Sequence, residues 1–461
     1  MLTQTAYGNT RHSLWLRVRE FAVPPSMIET ATVRRRAGDW AGACAAAGVD
    51  VDLDLRYVAR THGRDLAARV RADLRHLAPD LLRWHLPRIA PDGLLRPGLT
   101  LTLARYDGEG CARDRPVHLV ARTPPAWADA GQRISLALWD GSRSDTAARH
   151  PHPRPSRRYR LDLHRHLWDA RRAGELGVRS GADRPAPDPE PPDLAPPGLG
   201  CAVDRWAAEA GLLLGAEGRS AGTFVVRLGG RRRLVLDLVA PGDGGAVPAL
   251  RVAESLPEGG VPALPVLPDA ATRVLPDLEL LRAGLLAPDR LHPLVASALV
   301  PDHAPAGPLR RPGPADGSRL VECRGARHRI GLVDGVLVPL DHGPEEIRRE
   351  ELLVALGGPP LPCLQAIDEA HRRPDCLTGV RERLDHGDTA GALAVVEGLL
   401  GREALLRDGS LRDALEAAAA RKITYGLYRA GLIGPGRTPP DPNRRTTRHH
   451  RRRPRHATFL H

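Results

Sequence analysis

Leu99–Arg122 reads LTLTLARYDGEGCARDRPVHLVAR. Its two ends, Leu99–Tyr106 (LTLTLARY) and Pro116–Arg122 (PVHLVAR), have the aliphatic and β-branched character of strands, and Asp107-Gly108-Glu109-Gly110 between them supplies turn residues. The pattern predicts an antiparallel hairpin with a long turn, and Arg133–Trp139 (RISLALW) offers a third strand. Upstream, Ser26–Ala47 reads as helix with a break at Gly38. Gly63–Leu82 reads as a stronger helix, because Leu66, Val70, Leu74, Leu77 and Leu81 recur at three- and four-residue spacing. Arg158–Ala173 is expected to close this part of the chain as a further helix.

The same logic extends downstream. After a short helix over Ala202–Leu214, Thr223–Leu228 and Leu234–Val239 flank Gly229-Gly230-Arg231-Arg232-Arg233 as a second hairpin. Arg319–Leu340 holds a third, with Asp334-Gly335 between Ile330–Val333 and Val336–Val338. From Pro344 the periodicity is helical, over Glu345–Leu356, Cys363–Arg372, Leu377–Asp385, Thr389–Leu400 and Ser410–Lys422. Ser410 and Asp413 have the spacing of a capping box. The expected fold is therefore α+β, in two bodies that each mix helices with antiparallel hairpins.

Residues 182–200, ADRPAPDPEPPDLAPPGLG, are too rich in proline for helix interiors and predict a semi-rigid spacer. The expected organisation is a basic α+β domain over 1–181, the 182–200 linker, a β-hairpin region over 201–343, a helical region over 344–435 and a disordered Arg/His-rich tail over 436–461. Gly38-Asp39-Trp40-Ala41-Gly42 and Gly387-Asp388-Thr389-Ala390-Gly391 resemble one another and predict two isolated helix hairpins. No period of about 34 residues links them into a solenoid.

Composition bounds the function. The 461 residues are 42% hydrophobic and 26% charged, with 44 prolines, 47 glycines and a formal charge of +12. That charge is uneven. Residues 1–182 carry 30 basic and 19 acidic side chains, residues 183–435 carry 29 and 35, and the tail carries 8 and 1, giving +11, −6 and +7. The cations are arginines apart from Lys422, a skew in keeping with GC-rich bacterial coding. Lys422 follows Ala420-Arg421 rather than a glycine loop, which excludes a P-loop ATPase, and there is no kinase or dinucleotide-binding signature. The first 20 residues lack a signal-peptide core and no run of about 18 apolar residues occurs. With Cys44, Cys111, Cys201, Cys323, Cys363 and Cys376 scattered singly, a cytoplasmic setting with reduced thiols is expected.

On the Gly63–Leu82 helix, Arg64, Arg71 and Arg75 form a ridge beside the leucine stripe, with Asp65, Asp73 and Asp80 as the acids that would compensate it. The tail supplies Arg444, Arg445, Arg451, Arg452 and Arg453. Gly218-Arg219-Ser220-Ala221-Gly222 fits a nucleophile-elbow pattern, but a helix precedes it and a strand follows, which is the reverse of what an elbow needs. His150 with His152, His164 with His166, and Cys363 with His371 and Cys376 lack metal-ligand spacing. Cys363 and Cys376 read as core thiols. Asp50, Asp52 and Asp54 read as a wet strand face or a helix cap. No cofactor and no catalytic set is expected. The leading expectation is a non-catalytic interaction protein whose basic N-terminal body and tail contact an acidic partner. The alternatives are a sequence-independent nucleic-acid binder and a hydrolase whose site is assembled from distant residues.

Overall fold

The computed structural model describes residues 11–107, 116–129, 131–141, 150–183, 194–196, 199–230, 232–239, 249–255, 260–303, 319–323, 325–333, 336–359, 361–372, 379–400 and 408–434. The fold is α+β. Among the described residues, one compact unit takes in 11–127 and 133–303, and a second takes in 128–132 and 319–433.

The first unit opens with helical turns over 11–17 and a π-helical turn (Val18–Ala22), followed by α1 (Pro25–Arg36) and α2 (Trp40–Ala46), broken at Gly38 as the sequence predicts. Strand β1 (Val49–Val51), α3 (Leu55–His62), α4 (Arg64–His76) and α5 (Pro79–His85) follow. The single helix expected over Gly63–Leu82 is thus two. Leu77 is extended (φ −62°, ψ 129°) and Pro79 opens α5, because proline is tolerated at a helix start and not in its interior. The leucine stripe runs across the break unchanged, since Leu77 and Leu81 are both buried. After a ribbon of β2 (Arg88–Ile89) and β3 (Leu94–Leu95), the predicted hairpin forms from β4 (Thr100–Tyr106) and β5 (Val117–Arg122), with β6 (Ile134–Trp139) as third strand. Strand β1 joins β6 in parallel, giving the order β1-β6-β5-β4.

Arg158–Ala173 is not a helix. The chain from Ser156 bonds along the open edge of β4, with Ser156 N donating to Thr100 O, Thr102 N to Tyr159 O and Asp162 N to Thr102 O, before 3-10 turns over Arg165–Leu167 and Ala173–Glu175. Tyr159 and Leu161 are buried and alternate with the partly buried Arg158 and Arg160, which is the period of a strand.

The remainder of this unit comprises α6 (Leu176–Ser180), α7 (Val203–Gly215), the antiparallel β7 (Gly222–Gly229), β8 (Arg232–Val239) and β9 (Ala249–Val252), and then α8 (Asp269–Thr272), α9 (Pro276–Arg282) and α10 (Pro293–Leu299). The separation expected at 182–200 is not where packing divides the chain. Leu280, Leu286, Leu291 and Val295 enter the same core as Trp15, Val18, Leu74, Trp84, Leu103 and Trp168, so residues after the proline-rich stretch complete the body begun before it. A second core beside it joins Trp206, Leu213, Phe224, Leu236 and Leu267.

The second unit is a meander of β10 (Arg319–Cys323), β11 (Ala326–Val333) and β12 (Val336–Pro339) followed by α11 (Pro344–Ala355), α12 (Pro362–Arg372), α13 (Val380–Asp385), α14 (Thr389–Leu400) and α15 (Ser410–Ala430). Val333 pairs with Val336, as a two-residue connection requires; residues 334–335 themselves lie outside the described set. Ile330, Ile367, Val380, Leu384, Ala392 and Leu411 form its core. The boundary expected at residue 343 falls inside this unit. The capping box is not formed, because α15 begins at Ser410 itself. Gly409 takes the cap position and the Ser410 hydroxyl is buried without a hydrogen bond.

The two similar glycine-aspartate segments build the same turn. Gly38 and Gly387 have φ of +80° and +83°, Asp39 Oδ1 accepts from Gly42 N at 2.8 Å, and Asp388 Oδ1 accepts from Gly391 N at 2.9 Å. Each aspartate is also held from one turn back, by Arg34 at 2.8 Å and by Arg383 at 2.9 Å. A Cβ on Gly42 or Gly391 would collide with the carboxylate it caps, so the shared pattern Arg-x-x-x-Gly-Asp-x-x-Gly has a steric cause. Among the described residues, no helix is long and apolar enough to cross a membrane.

Candidate functional site

Helix α4 buries Leu66, Ala67, Val70 and Leu74 and leaves Arg64, Arg71 and Arg75 exposed, as its period dictates. The acids expected to neutralise this ridge are not beside it. Asp73 is buried, where it accepts from the Tyr106 hydroxyl at 2.8 Å, from Arg171 at 2.6 Å and from Arg165. Asp80 is buried on α5 with Oδ2 2.9 Å from His292 Nε2. His292 Nδ1 accepts from Leu294 N, so Nε2 carries the proton and donates to Asp80. Only Asp65 of the three acids is exposed. Among the described residues, the side chains of Arg64, Arg71 and Arg75 make no hydrogen bond or ion pair. The helical rise places about 16 Å between the first and last of these Cα atoms. The tail arginines Arg444, Arg445, Arg451, Arg452 and Arg453 lie outside the described residues.

A second surface was not visible in the sequence. His118 on β5 and Trp139 on β6 are directly opposite in register, their rings 5.3 Å apart and edge-on. They line a cleft of about 780 Å³ that Arg105, Arg154, Arg157 and Arg160 also reach. Three of these four arginines are committed. Arg105 bonds Asp107 at 3.0 Å, Arg160 holds Asp162 at 2.7 Å, and Arg157 donates to Pro262 O at 3.2 Å. Arg154 makes no such bond among the described residues. Burial lowers the His118 pKa, and its Nδ1 is buried without a hydrogen bond. With Asp140 and Glu217 on its walls and Asp107 and Asp162 bonded to two of its arginines, four acids stand against the four arginines of the cleft, in contrast to the ridge. Pairing β5 with β6 by hairpin register is the signal that would have brought His118 and Trp139 together.

The other sequence candidates are structural. Ser220 is exposed in the loop between α7 and β7, the reverse of an elbow. Asp50 is gripped by Arg133 through bonds of 2.9 and 2.5 Å, and Asp54 caps α3 by accepting from Arg56 N at 2.8 Å. His150 is buried, with Nε2 2.9 Å from Thr123 O and Nδ1 accepting from His152 N at 3.2 Å. His164 and His166 are brought to 5.8 Å by the 3-10 turn rather than splayed on a helix, yet both nitrogens of His164 are occupied, by Arg160 O and Glu209. Lys422 is exposed on α15. Cys44, Cys201, Cys323 and Cys363 are free thiols, all buried except the partly buried Cys201. Cys376 and the His371 side chain lie outside the described residues, but Cys363 comes against Cys323 and His342 in the second unit.

Comparison with models of protein families, with curated proteins and with solved structures gave no match.

Proposed function

We propose that the chain is a non-catalytic binding protein whose first unit holds an acidic protein partner against the Arg64, Arg71 and Arg75 face of α4. The observation that carries this reading is the inward turn of Asp73 and Asp80, which leaves three exposed guanidinium groups in one row without a neutralising partner among the described residues. Each is free to donate a planar pair of hydrogen bonds to a carboxylate. An extended segment of about five residues matches the length of the row at about 3.3 Å per residue. The arginines of 436–461 add a second basic element to the same proposal, and the free thiols support a reducing, cytoplasmic setting.

Sequence-independent binding of nucleic acid is the second reading, favoured by Trp139 on the cleft wall as a surface for a base to stack on. Fluorescence anisotropy of the full chain with a labelled oligoglutamate and with a labelled oligothymidylate, each at 50 and 200 mM salt, separates the two. The expected outcome is tighter binding of the peptide, weakened by salt, and at least a fivefold loss in the variant R64A/R71A/R75A. Preference for the oligothymidylate transfers the function to nucleic acid. Peptide binding that ignores the triple substitution, or no binding at low salt, overturns the proposal.

A further inference from the structure

In the second unit, β10 ends at Cys323, β12 leads into His342, and Cys363 is the second residue of α12. One ligand atom from each lies within 4.8 Å of the other two, and all three residues are buried. The His342 side chain is 3% exposed, and among the described residues neither ring nitrogen makes a hydrogen bond. Glu346 Oε2 is 3.3 Å from Nδ1 but out of line for one. A second imidazole, His328 on β11, stacks on His342 with centroids 4.2 Å apart and rings 11° from parallel, and its Nδ1 is also buried without a hydrogen bond.

We propose that Cys323, His342 and Cys363 bind one zinc-class divalent metal ion, which ties the β10–β12 meander to the start of α12. Two thiolates and an imidazole are the donor set that selects such an ion over magnesium or calcium. Bond lengths of about 2.3 Å to sulfur and about 2.0 Å to nitrogen put tetrahedral ligands about 3.5 Å apart, so closing the observed cluster on an ion takes a movement of about 1 Å. His328 stacks on His342 outside this cluster, so the fourth position of a tetrahedral ion is left to water. Coordination gives the buried His342 nitrogen the partner it otherwise lacks. The balance is simple: one ion enters as the aqua species, the two thiols lose two protons to solvent, and the neutral imidazole donates its lone pair. A Cys323–Cys363 disulfide is the competing chemistry, but it leaves the histidine pair unexplained.

The test uses the full chain purified under reducing conditions without chelator. About one equivalent of zinc is expected. After its removal, Co²⁺ is expected to give a near-ultraviolet thiolate-to-cobalt absorption together with visible tetrahedral bands, saturating at one equivalent and reversed by Zn²⁺. Cys363→Ser and Cys323→Ser should each lose about half of the thiolate band or more, and the double variant all of it, whereas Cys44→Ser, in the first unit, should keep it. Absence of the band in the unsubstituted chain overturns the proposal without reference to any variant. Retention of the full band in the double variant, or an intact mass two hydrogen atoms light through a 323–363 disulfide that persists in reductant, overturns it too. A histidine-only site elsewhere would bind Co²⁺ without the thiolate band and counts against it equally.

Discussion

Trp84 donates its indole N–H to Asp277 Oδ2 at 2.7 Å, joining residues 193 apart in the chain. Arg19 completes the group, with Nη2 3.3 Å from the other carboxylate oxygen and its guanidinium 4.2 Å over the Trp84 ring. Burial raises the Asp277 pKa and Arg19 opposes that rise. Asp277→Ala leaves the Arg19 charge buried without this counter-ion, and removing one partner of a buried pair costs about 3–5 kcal/mol. Urea unfolding followed by tryptophan fluorescence should show this loss for the first unit, with a smaller one for Asp277→Asn. A change below about 1 kcal/mol would contradict the assigned role.

Glu209 sits between His164 and Arg179, at 3.0 Å from the imidazole and 2.6–2.7 Å from the guanidinium. Burial alone would raise its pKa, but these two partners outweigh it and hold it at about 2, against an ordinary 4.5. A carboxylate depressed by folding stabilises fully above the unfolded value, and that stability disappears as pH falls from about 4.5 to about 2. The amount is roughly 3 kcal/mol. Glu209→Gln should therefore flatten the stability profile in that acid window, as measured by chemical denaturation at stepped pH.

Gly42→Ala and Gly391→Ala each place a methyl group against the capping aspartate. The expected loss is about 1–2 kcal/mol, the worth of an N-cap and its local strain. In the cycle of Asp39→Ala with Gly42→Ala, the double variant should lose less than the sum of the singles, because both remove the same cap. Thermal melting of the four proteins measures it, and strict additivity would refute the steric reading of the repeat.

The three hairpins were legible because strand alternation and turn residues are local signals, and the Gly-Asp turns because each is complete within nine residues. The break after His76 was hidden by a leucine stripe that continues through it, although Pro79 marked a helix start. Arg-Tyr-Arg-Leu-Asp-Leu at 158–163 carries a two-residue period that the surrounding charge obscured. What sequence could not supply was pairing at a distance. Asp73 looked like a surface acid until Tyr106, Arg165 and Arg171 gathered around it. Cys323, His342 and Cys363 show no ligand spacing because a meander and a helix, rather than one short loop, bring them together.

The entry of α9 and α10 into a core begun at Leu14 sets a schedule for synthesis. While the ribosome extends the chain from Leu176 to Val295, the nascent protein holds Trp84 without Asp277, Asp80 without His292, and an apolar face without Leu280 and Val295. At 5–20 residues per second this interval is on the order of ten seconds. A stall or premature stop in that window releases a chain in which Trp84, Asp80 and the leucines of the first core lack these late-made partners.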